Sequence, residues 1–148
     1  MAGLEPGDLQ DKAATAVISK WSYADPAGAA LRVAEFPESK ARDSAMGTVV
    51  VGWARKDVES ASKFIGELPT GSLRDQAVHS FVTATEYMDP AVAARWVTEM
   101  KAGSGYERRI EGVARRWISQ DPAKAQAWLE STNLPAERKA KFLDSLGR

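Results

Sequence analysis

Cysteine is absent from this 148-residue chain and histidine occurs once. The first absence removes disulfides, thiolate nucleophiles and cysteine metal sites. The second leaves a lone imidazole, His79, which cannot build a zinc centre by itself. Net charge is absent too, because 20 Lys and Arg balance 20 Asp and Glu. No global field therefore draws the chain to nucleic acid or to an anionic membrane. No apolar run approaches the roughly 18 residues of a membrane span. The opening residues, Met1 to Asp8, lack the basic segment and apolar run of a signal peptide. A soluble protein is the expectation, with the compartment left open and the cytoplasm favoured. Also missing are a Gly-x-Ser-x-Gly elbow, the strand and lysine that would make Gly103-Ser104-Gly105 a phosphate loop, and any nucleophile–base–orienter set. No enzyme activity, cofactor or metal is expected.

What is present is a repeat. The segment Trp117-Ile-Ser-Gln-Asp121-Pro122-Ala-Lys-Ala125 recurs upstream as Trp21-Ser-Tyr-Ala-Asp25-Pro26-Ala-Gly-Ala29. It recurs again as Trp53-Ala-Arg-Lys-Asp57-Val58-Glu-Ser-Ala61 and as Thr85-Glu-Tyr-Met-Asp89-Pro90-Ala-Val-Ala93. The aspartates, and with them the alanines, advance in steps of 32 residues without a gap, which marks a repeat protein. Each Asp suits a helix N-cap, since its carboxylate accepts free N–H groups of the next turn. A following Pro suits the first helical position, where no N–H is needed.

This punctuation predicts long helices over 8–23, 39–55, 71–87 and 105–118. Each is followed by a short one, over 26–36, 58–67, 90–101 and 122–132. A half-repeat helix over 136–146 ends the chain, with Arg138, Lys139 and Lys141 as the polar face of a cap. The expected fold is all-α: a right-handed α-solenoid of four 32-residue helix-hairpin repeats plus a C-terminal capping helix. Residues 1–7 are expected to be a disordered leader and 8–148 a single helical-repeat domain, which is also compatible with a piece of a longer array. Apolar residues spaced by three and four mark the buried faces, among them Leu9, Ala13, Ala14, Val17, Ile18 and Trp21 in the first copy. All five tryptophans occupy two repeat positions (21, 53 and 117; 96 and 128) and are expected in the core.

The paired helices, the small and aromatic positions and the proline closing the repeat resemble tetratricopeptide-type solenoids. The phrase Trp-x-x-x-Asp-Pro-x-x-Ala is also similar to tandem repeats in large bacterial proteins. What the resemblance implies is a scaffold that binds protein or peptide along a groove rather than a catalyst.

Recurring positions serve the fold, so positions that vary between copies are the candidates for function. On the long helices one stripe spaced by four reads Thr15/Ser19/Tyr23, Gly47/Val51/Arg55, His79/Thr83/Tyr87 and Glu111/Arg115/Ser119. Tyr and Arg are favoured interface anchors. Tyr23, Arg55, Tyr87 and Arg115 are therefore the candidate partner-binding residues. Arg108, Arg109, Arg115 and Arg116 form a denser basic group on one helix, partly neutralised by Glu107 and Glu111. That group reads as an ion-paired solvated face or as a docking patch for an acidic peptide or phosphate. Two alternatives stand beside the scaffold: a sensory or enzyme-linked domain taking a small or anionic ligand in the same groove, and a nucleic-acid-binding repeat, which the charge balance disfavours.

Overall fold

The computed structural model describes residues 6–101 and 105–147, the first seven of these as backbone only. The described residues form nine α-helices and no strand: α1 (Pro6–Ala24), α2 (Pro26–Ala34), α3 (Lys40–Lys56), α4 (Val58–Glu67), α5 (Ser72–Thr85), α6 (Pro90–Val97), α7 (Tyr106–Ile118), α8 (Pro122–Ser131) and α9 (Ala136–Leu146). None is long and apolar enough to cross a membrane. Helix α1 begins two residues before its expected start, at Pro6, and the rest of the expected leader lies outside the described residues. Helix α6 stops four residues early, at Val97, where Thr98 to Met100 turn. Gly71 and Gly105 take positive φ values of 153° and 102° at the breaks before α5 and α7, a region that favours glycine.

The four aspartates join long helix to short helix by one device. Asp25, Asp57, Asp89 and Asp121 each donate a backbone N–H to the carbonyl four residues back, at 2.8 Å every time. Their carboxylates accept from the backbone N–H groups of Gly28, Ser60, Val92 and Lys124. One residue thus ends one helix and caps the next. Asp89→Ala should cost about 1 kcal/mol in a denaturant titration, and Asp89→Asn should recover most of it.

The hydroxyl of Ser60, 2.6 Å from the Asp57 carboxylate, and then its backbone N–H hold that carboxyl below its ordinary range. A lowered folded-state value means that the contribution is complete above about pH 4, the unfolded value. It is lost as the pH falls from there through the folded value. Asp57→Asn should flatten this part of the melting-temperature profile and leave the neutral part nearly alone.

The chain divides into two compact units, one to Phe81 and one from Val82. In the first, α1 packs on α2 and α3, and α3 on α2 and α4. Its core is Ala29, Ala30, Val33, Met46, Val49, Val50, Ala61 and Ile65, none of them exposed. In the second, α7 packs on α6 and α8 around Ala93, Val97, Ile110, Val113, Ala114, Ala125 and Leu129. The four repeat alanines, Ala29, Ala61, Ala93 and Ala125, are fully buried, as small residues at tight contacts should be.

Two expectations about the core need correction. Among the described side chains of α1 only Ile18 is buried. Ala13 and Ala14 are exposed, Val17 is 64% exposed and Trp21 39%, and Leu9 lies outside the described side chains. The tryptophans differ for a similar reason. Trp53 is buried with its ring centre 5.3 Å from that of Phe64, and Trp117 sits 5.9 Å from Trp128, the partner always 11 residues on. The residue 11 beyond Trp21 is Arg32, which pairs instead with Glu35 at 2.8 Å and lies over Phe36. Trp96, Trp117 and Trp128 are half-buried.

Candidate functional site

Long helices α1 and α3 leave a cleft of about 540 Å³ between them, lined by Ser19, Ser22 and Tyr23 and by Thr48, Val51, Gly52, Arg55 and Lys56. Its apolar floor follows from small residues on the helix surface: a Cβ added at Gly52 would meet nothing within 4 Å. Tyr23 projects at one edge, 83% exposed. The Lys56 ammonium lies 5.5 Å from its ring centre and donates to its backbone carbonyl at 3.0 Å. This cation–π contact leaves the other ring face and the hydroxyl available to a ligand. Thr48 and Val51 also line a second cleft, of about 370 Å³, with Ser44 and Gly47 on α3 and Gln76 and Ser80 on α5. The two clefts thus adjoin at Thr48 and Val51 on α3, within the first unit.

Tyr23 and Arg55, two of the four expected binding residues, meet in the first cleft. Gly47, from the same stripe, is buried: a Cβ there would lie 2.6 Å from the Ser80 hydroxyl, so α5 has closed over it. His79 is exposed on α5.

The other two residues stand in the second unit and have different neighbours. Tyr87 is 70% exposed and carries the Arg116 guanidinium 3.8 Å above its ring centre, while Arg115 lies 5.4 Å over Phe142. Tyr87 is thus organised by Arg116, not by Arg115. The carboxylates expected to neutralise the arginines of α7 serve α9 instead. Arg138 takes Glu111 at 2.6 Å and also pairs with Glu107. The hydrogen bond to Glu111, ahead of the charges of Glu111 and Glu107, raises the Arg138 pKa.

The acid beside Arg109 and Arg116 is Glu86, at 3.2 and 3.8 Å. Its residue is only 5% exposed. Sequence reasoning passed over Glu86, although stepping by 32 shows it replacing Ser22 and Ala54 of the preceding copies. A carboxylate where the preceding copies have serine and alanine was the available signal.

No grouping of His, Cys, Asp and Glu suited to a metal occurs among the described residues. The repeat aspartates are occupied as helix caps. No protein-family model matches the chain, and no curated protein or solved structure is significantly similar to it.

Proposed function

We propose that the chain is a non-enzymatic binding scaffold: a right-handed α-solenoid of four 32-residue repeats with a capping helix, similar to tetratricopeptide-type and bacterial tandem repeats. Its partner in this reading is a protein segment or peptide lying across the long helices. The observation that carries the reading is the groove over α3, flanked by α1 and α5, with an apolar floor at Val51 and Gly52 and polar anchors at Tyr23 and Arg55. An exposed Tyr anchors with little loss of rotamer freedom, and an Arg fork pairs a carboxylate with defined geometry. The recurrent capping also supports it, because the caps fall on the recurring aspartates and leave the variable Tyr23 and Arg55 outside that role.

The test is selection of binding peptides from a random displayed library, followed by affinity measurements on purified variants. Tyr23→Ala and Arg55→Ala should each weaken the selected peptide by about 1–2 kcal/mol with melting nearly unchanged. Tyr87→Ala and Arg115→Ala ask whether the second unit contributes. Lys63→Ala and Lys124→Ala on the short helices should do little. Loss through the short helices with retention through the long ones would move the site to the other face. A second reading, a domain that takes a small anionic ligand, is favoured by the arginines around Glu86.

A further inference from the structure

We propose that the second unit contains a phosphate-binding site built from Arg108, Arg109 and Arg116 around the carboxylate of Glu86. It rests on the anionic-ligand reading alone and uses no residue of the groove over α3, so its failure would leave the peptide reading standing.

Three observations carry it. The first is that the fold does not require these charges. Arg109 stands where the other copies have Ala13, Ala45 and Ala77, Glu86 where they have Ser22, Ala54 and Ile118, and Arg116 where they have Lys20, Gly52 and Ala84. Ala45, Ala54, Ala77 and Ala84 are buried without any ion pair. A buried ion pair rarely stabilises more than the apolar side chains it replaces. Its presence here in place of alanine calls for a use.

The second is the charge balance. The three arginines and Glu86, with Gly105 and Gly112, line one open cavity of about 380 Å³. Among the described residues that line it, three guanidinium groups stand against one carboxylate, an excess of two positive charges. Glu107 and Glu111, the other acids of α7, are held by Arg138. Two charges match a phosphate dianion, whereas a carboxylate would satisfy only one.

The third is preorganisation. Arg116 donates to the Gly112 carbonyl at 2.9 Å, stacks on Tyr87 at 3.8 Å and reaches toward Glu86. A Cβ at Gly112 would approach its Nη1 to 3.2 Å, so glycine lets the guanidinium lie against the helix. Glu86 holds Arg109 in the same way from below, at 3.2 Å. The planar forks are thus fixed before a ligand arrives, as bidentate phosphate recognition favours. Gly105, the N-cap of α7, also lines the cavity and makes no side-chain cap hydrogen bond.

The ligand is a phosphate group, either free orthophosphate or a phosphate monoester, with the exposed Tyr87 ring beside the site to receive an organic substituent. The experiment is a low-salt calorimetric titration of the whole chain with inorganic phosphate and, separately, with phenyl phosphate. Saturable one-to-one binding is expected. Arg108→Ala, which removes the exposed arginine without touching the Glu86 pairs, should weaken it about tenfold.

Glu86→Gln, which keeps an acceptor to hold Arg109 but removes the negative charge that competes with the ligand, should tighten binding several-fold. Gly112→Ala, a helix-favouring change, should weaken binding by displacing the Arg116 guanidinium. Lys124→Ala removes the same charge elsewhere in the unit and should leave the affinity unchanged. If phenyl phosphate competes with inorganic phosphate, esters are ligands; if only inorganic phosphate binds, the free ion is the ligand. The proposal is overturned if neither probe saturates, if Lys124→Ala weakens binding as much as Arg108→Ala, or if Glu86→Gln weakens rather than tightens it.

Discussion

Replacing Trp53 by Ala should lower the unfolding free energy by about 3–5 kcal/mol, the usual cost of emptying a large aromatic site. The ring is 7% exposed and tilted against Phe64 at 5.3 Å, on the helix that packs with α1, α2 and α4. Its removal opens a void in a core whose other members, among them Val49, Val50 and Ile65, are already fully buried. At about 2–4 °C per kcal/mol for a chain of this size, the melting temperature should fall by roughly 10 °C. Trp21→Ala, at the same repeat position, should cost about 1 kcal/mol or less, because its indole already faces solvent over much of its surface. Trp117→Ala, half-buried against Trp128, should fall between them. Equal losses at 21 and 53 would mean that the repeat position rather than the neighbourhood decides burial.

The second large effect is one of excess volume. Ala61 has no exposed surface, and its backbone N–H closes the first turn of α4 onto the Asp57 carbonyl at 3.2 Å. The three equivalent alanines are buried to the same degree. Ala61→Leu adds three carbons where none fit and should destabilise by about 1–3 kcal/mol, through displaced backbone or an off-rotamer side chain. Ala127→Leu, on an exposed face of α8, introduces the same side chain and should shift stability by no more than about 0.5 kcal/mol. Chemical denaturation of both variants provides the comparison. Similar midpoints would show that the recurring alanine is not a packing constraint.

Helix starts were legible because they depend on neighbours in sequence. An Asp three residues before the N–H it accepts, followed in three of the four copies by Pro, specifies a cap regardless of what packs on it, and all four caps stand where the period puts them. The buried stripes of α3 and α7 were legible in the same way, since helical spacing fixes the phase of an apolar face.

Phase does not supply neighbours, however. Val17 and Trp21 carry the repeat pattern but lie on a face of α1 that α2 and α3 do not cover. Gly47 looked like a surface position until α5 brought Ser80 and Gln76 against it. Glu86 finds its partners 23 and 30 residues away on α7, and Glu107 finds Arg138 31 residues away. Such pairings depend on tertiary packing, and a 32-residue period implies them only at positions where the copies agree. For the candidate site, the repeat comparison picked out Tyr23 and Arg55. The small residues that open the groove beside them, above all Gly52, emerged only from the packing.

The peptide reading is tested most directly by mapping a selected peptide on the isotopically labelled chain by solution NMR. Binding along the long helices predicts amide shifts that titrate together at Ser19, Tyr23, Val51, Gly52 and Arg55, on the two walls of one cleft. Tyr23→Ala should move the midpoint of those shifts to about tenfold higher peptide concentration while leaving the dispersed spectrum of the folded chain intact. Shifts confined to the exposed faces of α4 and α8, with α1 and α3 silent, would contradict it.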